Sequence, residues 1–114
     1  MEQFLGIDLG TQGVKVVGWD EEGNFLGSAS REYSILTPQI GFAEQDPETW
    51  WEKTKEAIKE LVSSIPQVNI KGIGFSGQMH GTVIIDDNLK PLCPAIIWAD
   101  QRTHQEVKII RENL

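Results

Sequence analysis

The chain has 114 residues, of which 39% are hydrophobic and 24% charged, the balance of an ordinary globular domain. A chain of this length buries roughly two-thirds of the surface that its unfolded form exposes, which excludes disorder and a disulfide-dependent mini-protein. Ten basic and seventeen acidic residues give a formal net charge of −7. This charge, without any cluster of Lys and Arg, excludes nucleic acid and anionic membranes as first candidates for a partner.

The single cysteine, the short apolar runs and the N-terminal sequence together bear on the cellular location of the protein. Cys93 is the single cysteine, so it cannot form an internal disulfide, and it suits a reducing compartment. The longest apolar run, residues 95–99, is far shorter than the ~20 residues that cross a bilayer. Glu2 stands where a signal peptide would carry positive charge. We therefore expect a cytoplasmic protein.

The first third of the chain predicts a three-stranded antiparallel meander. Residues 4–8 are a short apolar run typical of a buried strand, and the glycine-rich stretch 10–13 predicts a tight turn. The β-branched run 14–19 predicts a second strand, and 25–33 a third after the polar turn at 20–24. A meander excludes the βαβ opening of a Rossmann or P-loop fold.

The middle of the chain predicts one helix and further strands. Residues 38–46 are expected to be irregular, and Asp46-Pro47-Glu48 then predicts a helix start, with a capping acid followed by proline at the first helical position. Apolar residues at spacings of three, four and seven predict a single buried stripe on a helix over 46–63. Residues 70–75 are expected to form a buried strand, and 82–86 another strand.

The last segment predicts a second helix, over 103–114. Thr103 and Glu106 have the spacing of a capping box. An apolar stripe runs along this helix to Leu114, with no Gly or Pro stop signal after it. We therefore expect the chain to be a fragment of a longer protein.

The first candidate site is the glycine turn that follows Asp8. A carboxylate at a strand end is the acceptor-only group that Mg²⁺ prefers. A glycine turn allows backbone N–H groups to converge on a phosphate. Thr11 and Gln12 would add a hydroxyl and an amide to those contacts. The alternative is a plain hairpin turn with a solvated Asp8.

The second candidate site is the stretch Ser76–Gly81, which follows a predicted strand. The carboxyl ends of strands line the crevices in which α/β proteins bind ligands. Gln78 and His80 offer the donors and acceptors that a polyhydroxylated substrate requires, and Met79 can lie against its carbon skeleton. The alternative is that Met79 fills the core and His80 caps a strand.

The third candidate site is the segment from Trp98 to Thr103. Trp98 could form a pocket wall, with Asp100 and Arg102 as its polar tips. The alternative is that Asp100 is an acid favoured by the macrodipole of the following helix and that Arg102 is its exposed neighbour. The stretch 41–47 is expected to be structural.

These motifs together resemble a known family. Residues 6–11, Gly-Ile-Asp-Leu-Gly-Thr, resemble the first phosphate loop of the actin, Hsp70 and hexokinase superfamily. Residues 41–47 followed by Trp50 resemble the G-[WF]-x-E-x-D-P…W stretch of the FGGY carbohydrate kinases. Residues 72–81 and 94–98 resemble the xylulokinase branch, because glycerol kinases carry Gln-Arg-Glu where this chain has Gln-Met-His.

The resemblance implies an α/β fold and a kinase activity. The chain would be the N-terminal part of the first of two ribonuclease-H-like domains, with a mixed sheet. The reaction would be phosphoryl transfer from ATP, with Mg²⁺, to a ketopentose, foremost D-xylulose to D-xylulose 5-phosphate. The resemblance is also compatible with a homodimer of the full-length protein. The alternatives are an FGGY kinase for ribulose, fuculose, gluconate or glycerol, and a non-enzymatic nucleotide-binding module of the actin or Hsp70 type.

The resemblance also implies roles for particular residues. Asp8 would act through Mg²⁺, and the residues after it would contact the nucleotide phosphates: Gly10, Thr11, Gln12 and Gly13. The sugar side would be formed by Gln78, Met79, His80, Trp98 and Asp100. The catalytic base would be an aspartate beyond residue 114, so the fragment alone is expected to be inactive.

Overall fold

The computed structural model describes all of residues 1–114. The chain forms two compact units. The first unit contains residues 1–34 and 48–78, and the second contains residues 35–47 and 79–114. Neither helix is long and apolar enough to span a membrane.

The first unit is built on a four-stranded mixed sheet. Its strands are β1 (Gln3–Leu9), β2 (Gly13–Asp20), β3 (Phe25–Glu32) and β5 (Ile70–Gly77), in the order β3-β2-β1-β5. The first three strands are antiparallel, which confirms the predicted meander, and β5 lies parallel to β1. The carboxyl ends of β1 and β5 therefore meet at one end of the sheet.

Helix α1 (Pro47–Ser63) begins at the predicted proline and ends at the predicted serine. Its buried residues Ala57 and Leu61 belong to the core. The helix approaches the sheet closely at Gly27, where an added Cβ would lie 3.2 Å from a methyl carbon of Leu61. The predicted stripe was too wide, because adjacent helical residues point about 100° apart. Trp51 is accordingly 57% exposed.

The core of the first unit joins α1 to one face of the meander. Its members are apolar residues from β1, β2, β3 and α1 and the segments that follow β3 and α1. They are Leu5, Ile7, Val14, Val16, Ala29, Tyr33, Ala57, Leu61 and Ile65. Alternate strand residues supply this face, because successive side chains of a strand point to opposite faces of the sheet.

Strand β5 forms as predicted but is largely exposed, so its predicted burial was wrong. Ile73 and Phe75 pair with Leu5 and Ile7 and therefore lie on the core face of the sheet. They are nevertheless 48% and 76% exposed. The helix residues in the core contact the meander, and β5 is the edge strand beyond β1. The apolar residues of β5 thus predicted the strand correctly, but they did not predict whether another element packs on its face.

The second unit contains a small two-stranded sheet. Strand β4 (Glu44–Gln45) pairs antiparallel with β6 (Ala95–Ile96). Residues 38–46 were predicted to be irregular, but two of them, Glu44 and Gln45, form strand β4. The predicted strand 82–86 was wrong, since it makes only isolated bridges. The Asp86 carboxylate accepts backbone N–H bonds from residues 88 and 90, and such local bonds compete with a strand ladder.

Helix α2 (His104–Glu112) confirms the second predicted helix, with shorter bounds. The predicted capping box was wrong: the Thr103 side chain makes no capping hydrogen bond. Thr103 has φ −99° and ψ 16°, whereas a capping residue typically adopts β-region angles. No residue of α2 is buried, and the predicted apolar stripe is exposed to solvent.

Candidate functional site

Residues 8–13 comprise the end of β1, the turn that follows and the first residue of β2, and they are termed the first loop. The N–H of Gly10 donates to the Gly13 carbonyl at 2.9 Å, which closes a tight turn. A Cβ on Gly13 would lie 2.4 Å from the Arg31 carbonyl oxygen, far inside normal contact. The close approach of β3 therefore requires glycine at this position.

Asp8 lies at the end of β1 between two polar neighbours. The Ser76 hydroxyl donates to the Asp8 carboxylate at 3.1 Å, from the in-register position of β5. Lys15 is the in-register neighbour of Asp8 on β2. The three residues line a shallow depression of about 360 Å³ whose walls include Gly6 and Gly74. A carboxylate, a hydroxyl and an ammonium group thus line one depression of the first unit.

Lys15 is a site residue that the sequence reasoning missed. Its signal was available, because it follows Asp8 by seven residues and the intervening turn folds β2 back on β1. Opposite residues of an antiparallel pair have Cβ atoms about 5 Å apart. A lysine in that position brings a positive charge to the depression that the carboxylate also lines, without forming an ion pair with it.

Gln78 follows β5 and contacts the first loop. Its backbone N–H donates to the Leu9 carbonyl at 3.0 Å. The Thr11 hydroxyl lies 3.5 Å from the Gln78 side-chain carbonyl oxygen. The structure therefore joins Gln78, which was assigned to the sugar side, to a residue assigned to the nucleotide side.

Tyr33 is a second residue that the sequence reasoning missed. It follows β3, is only 9% exposed, and donates its hydroxyl hydrogen bond to the Gly10 carbonyl. Burial, with a smaller contribution from the charge of Asp8, raises the pKa of Tyr33 to about 12. A buried phenol requires a partner for its hydroxyl, and here that partner is the first loop.

Met79, His80 and Trp98 lie in the second unit. Met79 is 70% exposed and Trp98 57% exposed, so the alternative that Met79 fills the core was wrong. His80 has φ +64°, the left-handed conformation that few residues other than glycine adopt. Such conformations occur both at functional sites and in turns, and Leu89 adopts the same one at φ +63°.

Asp100 lies in a network of charged and polar contacts. Its carboxylate accepts hydrogen bonds from Arg102 Nε at 2.9 Å and from the Ala43 backbone N–H at 2.8 Å. Arg102 also pairs with Glu44 at 2.7 Å, and its guanidinium carbon lies 3.9 Å from the ring centroid of Phe42. The side chain of Arg102 is only 21% exposed and pairs with both Asp100 and Glu44, so the alternative that Arg102 is an exposed neighbour of Asp100 was wrong.

The Arg102 hydrogen bond lowers the pKa of Asp100 well below its ordinary range, although burial opposes the shift. The same bond, together with the pair to Glu44, raises the pKa of Arg102. Both groups therefore stay charged at neutral pH. Residues 41–47 were predicted to be structural. Two of them, Ala43 and Glu44, also bind Asp100 and Arg102, a contact that the sequence did not predict.

In the first unit, Asp8 lies next to Ser76 and Lys15. In the second unit, Asp100 is held by hydrogen bonds from Ala43 and Arg102. No group of three or more His, Cys, Asp or Glu side chains lies together. Asp8 thus offers a single carboxylate. Mg²⁺ commonly binds proteins through one or two carboxylates together with phosphates and water, so this donor set fits that ion.

The chain was compared with known proteins. Residues 3–114 match the family model described as the FGGY family of carbohydrate kinases, N-terminal domain. A xylulose kinase of Staphylococcus xylosus is 42% identical over 100% of this chain and 24% of its own length. A gluconokinase of Bacillus subtilis is 38% identical over 97% of the chain and 22% of its own length. A crystal structure of a xyloylose kinase from Brucella ovis gives a TM-score of 0.91 at 39% identity, covering 97% of this chain and 24% of that one.

The mixed sheet with its opening meander is the ribonuclease-H-like fold of the actin and hexokinase type. The chain belongs to the FGGY family of carbohydrate kinases and matches its N-terminal domain. It spans about a quarter of the length of the curated relatives that it matches.

Proposed function

We propose that the chain is the N-terminal part of the first domain of a kinase that phosphorylates D-xylulose with ATP. The observation that carries the proposal is the arrangement at the joined ends of β1 and β5. There Asp8, Ser76 and Lys15 surround a depression beside a tight glycine turn. Ligands of α/β proteins bind at the carboxyl ends of strands, and a glycine turn suits phosphate.

The first loop serves the nucleotide in this proposal. Thr11 and Gln12 contact the phosphates, together with the backbone at Gly10 and Gly13. Asp8 would hold Mg²⁺, and the bound ion would neutralise phosphate charge. Lys15 adds a positive charge beside the same group. Phosphoryl transfer depends on such positioning and neutralisation far more than on covalent participation by the protein.

The second unit serves the sugar. Met79 and His80 bind the substrate, and the exposed ring of Trp98 forms a wall for its carbon skeleton. Gln78 is a further proposed sugar-binding residue, and it lies in the first unit, where its backbone N–H donates to the Leu9 carbonyl. Asp100 Oδ2 accepts from the Ala43 N–H and Oδ1 accepts from Arg102, so we assign Asp100 the role of holding the wall as well as lining it.

The proposed reaction exchanges one P–O bond for another. The oxygen of the sugar 5-hydroxyl bonds to the γ-phosphorus, and the bond from that phosphorus to the β–γ bridging oxygen breaks. The hydroxyl proton passes to a carboxylate base, expected beyond residue 114. General-base help of this kind contributes typically ~10²–10⁴-fold. The 114-residue chain alone should therefore show no turnover.

The test is an ADP-release assay of the full-length protein with a panel of sugars. D-xylulose should give the highest kcat/KM, ahead of ribulose, fuculose, gluconate and glycerol. Gluconate is the second candidate, because a gluconokinase is 38% identical to this chain. A protein that binds ATP but phosphorylates none of these sugars would contradict the proposal and favour the non-enzymatic alternative.

Location and assembly complete the proposal. The free, exposed Cys93 suits a reducing compartment, which supports the cytoplasm. A homodimer of the full-length protein remains a prediction. Light scattering on the purified protein would measure its mass directly.

A further inference from the structure

One buried hydroxyl of the first unit has a partner in the first loop. The phenol of Tyr33 donates to the Gly10 carbonyl, 23 residues earlier in the chain. The backbone N–H of Tyr33 donates to the Gln12 carbonyl at 3.1 Å. Tyr33 therefore contacts two of the carbonyl groups of the first loop.

We propose that Tyr33 is a positioning residue for the first loop, whose hydroxyl fixes the orientation in which the loop meets the nucleotide phosphates. The inference rests on the proposed function, because it assigns the loop to phosphate. Tyr33 does not touch the substrates in this proposal; it acts through the peptide that it holds.

Peptide planarity links the direction of the Gly10 carbonyl to that of the Thr11 N–H. A peptide unit is planar and trans, so its C=O and N–H point in opposite directions. The Gly10 carbonyl is directed at the Tyr33 hydroxyl, and the N–H of Thr11 in the same unit therefore points away from it. Glycine permits this peptide to rotate easily, which makes an external anchor useful.

The remaining contacts of the loop show what the phenol adds. The Gly10 N–H bond to Gly13 closes the turn, and the Gln78 N–H bond to Leu9 fixes the end of β1. Among these contacts, only the phenol holds the Gly10 carbonyl itself. A phenol is protonated at physiological pH and can donate this bond, and burial raises the pKa of Tyr33 further, to about 12.

The test uses Tyr33→Phe in the full-length protein, which removes the hydroxyl and keeps the ring in the core. Isothermal titration measures the affinity for the Mg²⁺ complex of a non-hydrolysable ATP analogue and, separately, the affinity for D-xylulose. Loss of one ordinary hydrogen bond corresponds to about a tenfold change. We expect the nucleotide affinity to fall about tenfold and the D-xylulose affinity to stay within about twofold.

Thr54→Val is the matched control. The Thr54 hydroxyl is buried and donates to the Trp50 carbonyl at 2.7 Å within α1, away from the first loop. Its loss should lower the melting temperature without changing the nucleotide affinity. Hydrogen exchange adds a second measurement: the Gly10 amide should exchange faster in Tyr33→Phe and not in Thr54→Val.

Three results would overturn the inference. They are unchanged nucleotide affinity in Tyr33→Phe, an equal loss of both affinities, and failure of that variant to fold, which would make the hydroxyl a general stability element. Failure of the proposed function gives a different result, because the wild-type protein would then not phosphorylate D-xylulose. In that case the difference in nucleotide affinity between wild type and Tyr33→Phe still tests the role of Tyr33.

Discussion

The first loop and the Trp98–Arg102 segment are both fixed by distant parts of the chain, but by different kinds of bond. The first loop is held by backbone hydrogen bonds and one neutral phenol. The Trp98–Arg102 segment also has a backbone hydrogen bond, from the Gln101 N–H to the Gly41 carbonyl, but its side-chain anchor is the charged Arg102, which binds both Asp100 and Glu44. A neutral anchor leaves the local charge to Asp8 and Lys15, whereas a charged anchor makes its segment sensitive to pH and salt.

The largest effect should come from closing the space at Gly13. An alanine Cβ would meet the Arg31 carbonyl at 2.4 Å, and backbone atoms cannot move aside as a side chain can. Gly13→Ala should destabilise the full-length protein by about 3 kcal/mol or more. Gly74→Ala is the control, since nothing lies within 4 Å of its added Cβ. Equal melting temperatures for the two variants would refute the steric argument.

Asp8→Asn tests the charge on the nucleotide side. The substitution keeps the size and removes the carboxylate charge, so kcat should fall by about 10²–10³-fold, as for other losses of electrostatic stabilisation. The affinity for D-xylulose, measured by titration, should not change. Ser76→Ala removes the hydroxyl that donates to Asp8 and should have a much smaller effect on kcat. A kcat of Asp8→Asn within threefold of wild type would remove Asp8 from the proposed chemistry.

His80→Ala tests the sugar side. Loss of a hydrogen bond to the substrate should raise the KM for D-xylulose about tenfold and leave the KM for ATP unchanged. Leu89→Ala is the matched control, because Leu89 is the other non-glycine residue with positive φ and lies in the same unit. If the KM for ATP alone changed, His80 would belong to the nucleotide side.

The smallest effect should be the pH dependence of the charged anchor. The pKa of Asp100 is lowered in the fold, so its stabilisation is complete above the unfolded value of about 3.9 and is lost as the pH falls towards the lowered value. Arg102→Gln should lower the melting temperature at pH 7, and the gap to wild type should shrink below pH 4. Lys108→Gln breaks an exposed ion pair and should change little at either pH. A gap that is independent of pH would show that Arg102 stabilises by packing alone.

The sequence predicted the elements whose signals are local. The meander follows from short apolar and β-branched runs separated by turns, and the start of α1 from Asp46-Pro47-Glu48. The same local signals misjudged β5, because the burial of Phe75 depends on which element covers its face. They also misjudged Thr103, because a capping motif acts only when its backbone takes up the required angles.

The anchors of the two regions could not be predicted in the same way. Tyr33 meets Gly10 across 23 residues, and Arg102 meets Glu44 across 58. No periodicity encodes such pairs, which become visible only once the strands have a register. Asp8 and His80 could be chosen as candidate site residues from the sequence. The long-range contacts made by Tyr33 and Arg102 could not be predicted from it.

The exposed side chains of Ile73 and Phe75 have a practical consequence. They place apolar surface on an edge strand whose outer backbone groups are open to another strand. Such an edge is a template for pairing with a second molecule. A preparation of residues 1–114 by themselves should therefore self-associate at high concentration, and measurements on it would report the aggregate. Replacing Phe75 with lysine would be the simplest way to keep such a preparation monodisperse.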